Sequence, residues 1–136
     1  MRQDDGIGPY IVEILSKEIK KDNVIFLDCD IRPENYIDRI KGYNPAKIFV
    51  IDAADFGGEI GEVRVIPVED IDGYTLSSHT MPISLFVYLL KQENIEVEVI
   101  GIQKKSISYD KPISNEIVKV INKIKEKIKQ ICGIYG

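Results

Sequence analysis

The chain has 136 residues, 44% of them hydrophobic and 29% charged, with a net charge of −4. This is ordinary globular composition, so residues 1–136 are read as one domain that needs neither disulfide nor metal to hold a core. The acidic balance disfavours nucleic acid, whose affinity comes mainly from neutralised phosphates. No apolar run is long enough to span a membrane and no signal peptide opens the chain. Cys29 and Cys132 lie outside any CxxC pair, which suits a reducing cytoplasm.

In chain order, the first predicted element is a helix over 9–20, with Pro9 in its opening turn and Ile11, Ile14, Leu15 and Ile19 on one face. A short apolar run, 24–27, reads as a buried strand ending at Asp28. A helix follows over 33–41, opened by Pro33 and closed before Gly42. The apolar run 48–51 reads as a second strand, ending at Asp52, and 53–61 as a loop with three glycines. Residues 63–68 alternate and are rich in valine, which predicts a third strand. After a polar loop over 69–80, residues 81–90 read as a buried helix with Leu85, Tyr88 and Leu89 on one side. Residues 97–102 predict a fourth strand. Ser114 suits the N-cap of a last helix, on which Ile117, Val118, Ile121, Ile124, Ile128 and Ile131 form an apolar stripe opposite lysines.

Strands alternating with helices predict a three-layer α/β/α sandwich around a twisted, mostly parallel sheet. The connection 53–61 is too short for a crossover helix, so strand 63–68 is expected to be antiparallel to its predecessor or at an edge. Sites in such sheets lie beyond the carboxyl ends of the strands. Asp28 and Asp52 end apolar strands, Asp5 stands in "QDDGIGP" ahead of a helix, and the only histidine, His79, stands in "SSHTMP" ahead of another. Four polar groups from distant sequence are thus expected at one end of the sheet.

Each group also has a purely structural reading. Asp4-Asp5-Gly6 makes a good turn into an N-cap, Asp28 can accept backbone hydrogen bonds, and a lone histidine is often a packing residue. Other chemistries fit less well. Neither GxGxxG nor GxxxxGK is present. Ser77 and Ser78 adjoin His79 without a GxSxG elbow, and Cys29 lacks electropositive neighbours. Two aspartates and one imidazole suit a borderline divalent ion, nickel or zinc, with coordination positions left open.

Taken together, "DDGIGP", "VIDAADFGGEIGEVRVI", "SSHTMPISLFVYLL" and "VIGIQKKSI" resemble the hydrogenase maturation endopeptidases, in particular the branch serving hydrogenase 3-type enzymes. The likeness runs from Asp4 to about Ile121. It implies a nickel-dependent, aspartic-type endopeptidase that removes the C-terminal extension from a [NiFe] hydrogenase large-subunit precursor. Its metal-binding and catalytic residues fall on Asp5, Asp52 and His79, with Asp28 as a supporting acidic group. The nickel is expected to arrive with the substrate, and the glycines at 57, 58 and 61 to give an extended substrate segment access to backbone. An alternative of another class is a non-catalytic or degenerate module that only recognises the nickel-loaded subunit. The chain departs from the family pattern at Ile60 and Lys104, where prolines are usual. It also lacks a first apolar strand ending in Gly-Asn ahead of Asp4, so a start upstream of Met1 is expected.

Overall fold

The computed structural model describes residues 6–29, 32–73, 75–76, 81–105 and 115–134. Helix α1 (Ile7–Glu18) starts two residues earlier than the sequence predicts. Pro9 therefore sits inside the first turn, where backbone N–H groups have no intrahelical acceptor and a missing one costs nothing. A 3₁₀ turn (Pro33–Tyr36) leads into α2 (Ile37–Tyr43), which stops at Asn44 in the left-handed conformation (φ 49°). Then come β1 (Lys47–Asp55), β2 (Val63–Ile66), a 3₁₀ segment (Val68–Gly73) and β3 (Thr75–Leu76). Helix α3 (Ile83–Lys91), β4 (Glu96–Gln103) and α4 (Asn115–Cys132) complete the order. The proposed cap Ser114 lies outside the described residues.

The sheet has the order β2-β4-β1-β3. Its centre is a long parallel ladder, Lys47 to Ala54 of β1 against Glu96 to Gln103 of β4. Strands β2 and β3 flank it antiparallel, β2 on β4 and β3 on the last two residues of β1. Strand 63–66 is thus an edge strand, but its neighbour is β4 and not the strand that precedes it in sequence. Pro67, which cannot donate to a ladder, ends it.

Apolar residues of the central strands alternate between two cores, as the pleat demands. Ile48, Val50 and Ala54 of β1 and Val97 and Val99 of β4 meet α2 and α3 through Ile40, Ile83, Phe86, Val87 and Leu90. On the opposite face, Phe49, Ile51 and Ala53 with Ile100 and Ile102 meet α1 and α4. There Ile7, Ile11, Leu15, Ile117, Ile124 and Ile128 are all but sealed from solvent. The three predicted layers are present.

Three expectations are corrected. Residues 24–29 form no strand, although Phe26 packs on the α1/α4 core and Leu27 on the α2/α3 core. The side-chain alternation is strand-like, but a strand also needs a hydrogen-bonded neighbour, and no described strand pairs with this segment. Strand β1 does not end at Asp52 but runs on to Asp55, because β4 stays in register through Ala54 and small, buried Ala53 and Ala54 fit between the layers. On α3, Leu85 and Tyr88 face outward, and Ile83, Phe86, Val87 and Leu90 are buried instead.

Candidate active site

Asp52 stands three residues before the end of β1, opposite Gly101 of β4. Strand alternation puts its side chain on the face of Val50 and Ala54, toward the α2/α3 layer. It is one of the few buried polar residues, only 4% exposed, and its Oδ1 accepts the Ala53 N–H at 3.0 Å. A carboxylate is costly to bury unless its environment compensates, so its place on a core strand marks it as more than a surface turn residue.

The surroundings of Asp52 are tight. A Cβ on Gly101 would come within 2.7 Å of Ile66 Cδ1 and 3.0 Å of Ala54 Cβ. A Cβ on Gly8 would lie 2.7 Å from the Ile51 carbonyl oxygen and 3.6 Å from Asp52 Cα. The first turn of α1 is thus laid directly on the backbone that carries Asp52, and only glycine permits that approach.

Of the other predicted site residues, Asp5 and His79 lie outside the described residues. Their described neighbours do approach Asp52: Gly8 by the contact above, and Leu76 by pairing with Ala54. Asp28 is described and exposed. Among the described residues, no three His, Cys, Asp or Glu side chains converge to hold a metal ion. Asp52 is the described member of the predicted donor set, and a carboxylate is a suitable oxygen ligand for a divalent ion.

Sequence reasoning missed the polar group that organises the rim beyond Asp52. Gln103, the last residue of β4, is only 5% exposed. Its Oε1 accepts the N–H groups of Phe56 (2.9 Å) and Gly58 (3.1 Å). Its Nε2 donates to Asp55 Oδ1 (3.1 Å) and to the Lys104 carbonyl (2.9 Å). Asp55 Oδ1 also accepts the Gly57 N–H at 3.1 Å, and Glu62 Oε1 accepts the Glu59 N–H at 3.2 Å. The Gly57 N–H first, and then the Gln103 amide, hold the Asp55 carboxyl below its usual range. Glu62 in turn binds the Arg64 guanidinium at 2.7 Å, and that guanidinium lies 4.1 Å above the Phe56 ring.

This network corrects the expectation of open backbone in the glycine loop. Four consecutive N–H groups, 56 to 59, are already taken by side-chain acceptors. A substrate segment cannot pair with those donors unless the loop is dismantled. The sequence carries only a slight signal for it, a polar residue closing the strand 97–102, which Glu98 already interrupts.

The cysteines carry no nucleophile. Burial, and next the Asp28 carboxylate, push the Cys29 thiol up to about 11. Burial, and next Glu98, push Cys132 up to about 11. Both thiols are therefore protonated at neutral pH, when only the thiolate attacks.

Comparison with known proteins places this arrangement among relatives. A family model described as hydrogenase maturation protease matches residues 9–131. The hydrogenase 3 maturation protease of Escherichia coli is 29% identical over 130 residues, covering 95% of this chain and 83% of the relative. Among solved structures, a [NiFe] hydrogenase maturation protease from Thermococcus kodakarensis superposes with a TM-score of 0.80 at 30% identity, over 96% of this chain and 84% of the other. The solution structure of an Escherichia coli endopeptidase gives the same TM-score, 0.80, at 29% identity, over 96% and 83%.

Proposed function

The chain belongs to the hydrogenase maturation protease family, and from that premise we propose that it removes the C-terminal extension of a nickel-loaded [NiFe] hydrogenase large-subunit precursor. The observation that carries the site assignment is the buried Asp52 carboxylate on β1, with the first turn of α1 pressed onto its backbone. Asp5 is three residues from Gly8, and three residues reach at most ~10 Å. His79 is three residues from Leu76, which pairs beside Ala54, and the same limit applies. Chain connectivity thus supports a site composed of Asp5, Asp52 and His79.

In this reading the nickel is part of the substrate. The two carboxylates and the neutral imidazole supply the ligands by which the protease recognises it. When bound, the ion polarises the scissile carbonyl toward attack by water. One of the two carboxylates can instead take the proton from that water as general base. In either role the β1 carboxylate must be ionised, and the dense packing around residue 52 holds it in one place. The reading also includes a cytoplasmic location, in keeping with the free thiols of Cys29 and Cys132.

The direct test is to incubate the purified protein with a nickel-loaded large-subunit precursor and weigh the large subunit by mass spectrometry. Loss of the C-terminal extension is the expected result. A precursor that is bound but keeps its full mass would overturn the assignment and leave a recognition module.

A further inference from the structure

We propose that Gln103, working through Asp55, is a positioning residue that sets residues 56–58 as a fixed wall for the extended substrate segment beside Asp52. The substrate role rests on the protease reading above; the moulding of the loop stands on the geometry alone.

A glutamine amide can accept two hydrogen bonds and donate two. Gln103 makes all four, and three of them go to residues 55, 56 and 58. The same residue grips the loop with its main chain, since its N–H donates to the Glu62 carbonyl at 2.8 Å and its carbonyl accepts the Gly61 N–H at 2.9 Å. Both ends of the loop 56–61 are therefore anchored on one residue. That residue sits in the ladder opposite Ala54, two positions from Asp52. Loop and carboxylate thus share one rigid support.

The chemistry of the anchor argues against a role in stability alone. An apolar residue at the end of β4 would bury surface without the cost of desolvating an amide. The amide recovers that cost through four hydrogen bonds, two of which hold the Phe56 and Gly58 N–H groups inward. With those donors turned away, the loop offers substrate the Phe56 ring, stacked under the Arg64 guanidinium of β2. These are features for gripping a peptide by shape and stacking, not for extending the sheet.

The test compares Gln103→Met, Gln103→Glu and Asp55→Asn. In Gln103→Met, which keeps the length and loses the hydrogen bonds, amide hydrogen exchange at 56–58 should quicken by about tenfold. Its apparent KM for the precursor should rise by about tenfold while kcat stays within about threefold, the signature of lost binding without lost chemistry. Gln103→Glu should be impaired in the same way, because it sets a second carboxylate against Asp55 and the Lys104 carbonyl. Asp55→Asn keeps a side-chain oxygen that can accept both the Gly57 N–H and the Gln103 amide, so its KM should stay within about threefold of wild type.

Unchanged KM and exchange in Gln103→Met, with an active wild type, would overturn this proposal and leave the protease reading intact. A Gln103→Glu variant with the wild-type KM would overturn it equally. A wild type that leaves the precursor uncut would remove the substrate role together with the protease reading. The exchange measurement would still decide whether Gln103 moulds the loop.

Discussion

Asp52 and Gln103 are two buried polar residues on adjacent strands, and the roles proposed for them differ. Asp52→Asn keeps the shape and removes the charge. It should lower precursor cleavage by at least about hundredfold, the scale of a lost acid–base or ligand group, with little change in melting temperature. Cleavage at the wild-type rate by that variant would show the carboxylate to be structural. His79→Ala should abolish processing while leaving thermal stability nearly unchanged; full processing would mean the imidazole is misassigned. The prominence of Asp52 was legible in the sequence because it closes the apolar run 48–51 just ahead of a glycine-rich loop. Gln103 was not, because an uncharged amide at a strand end reads as an ordinary boundary. Its role depends on residues 55, 56 and 58, which lie far from it along the chain.

The elements carry their own tests. Gly8→Ala puts a methyl group 2.7 Å from the Ile51 carbonyl oxygen, a backbone atom that cannot swing aside. It should destabilise the fold by about 1–3 kcal/mol, read as a lower denaturant midpoint, and should impair cleavage by lifting α1 from β1. Helix α3 offers a contrast, since Leu90 is sealed and Tyr88 is 57% exposed. Leu90→Ala should cost about 2–5 kcal/mol, whereas Tyr88→Ala should stay within about 0.5 kcal/mol. Equal effects would contradict the observed orientation of the helix. Periodicity could not decide that orientation, because α3 is apolar on nearly all sides and several faces satisfy the 3.6-residue repeat. On α4 the buried Ile117, Ile124 and Ile128 belong to the predicted stripe, whereas Val118, also assigned to it, is exposed. The segment 24–29 shows the complementary failure: an apolar run predicts burial, but strand formation needs a partner in space.

At the scale of the whole molecule, charge links the layers and sets the response to pH. Glu18 at the end of α1 meets Lys125 (2.6 Å) and Lys129 (3.4 Å) of α4. The hydrogen bond from Lys125 leads the causes that hold the Glu18 carboxyl below its usual range. Asp55, Glu62 and Glu116 are lowered as well. A carboxyl whose folded pKa is depressed stabilises above its unfolded value and loses that contribution as pH falls through the folded one. These groups start from 3.8 for Asp55 and 4.5 for the glutamates. Melting temperature should therefore hold from neutral pH down to those values and fall below them, and added salt should flatten the drop. At the other end, Glu93 raises Lys41 and Glu98 raises Lys47 above 10.5. Their share is present below that value and lost as pH rises through the raised one. A melting temperature that climbs on acidification below 3.8 would contradict these pairings. From the order of residues alone came the α/β layering, the apolar faces of α1 and α4, the edge position of strand 63–66 and the prominence of Asp52. These follow from composition and period, which are local properties of the chain. Folding alone decided that β4 lies between β1 and β2, that β1 continues past Asp52, which face of α3 is buried, and that Gln103 takes the N–H groups of Phe56 and Gly58. Each of these is a choice of partner between segments distant in sequence, and partner choice is made by packing in three dimensions.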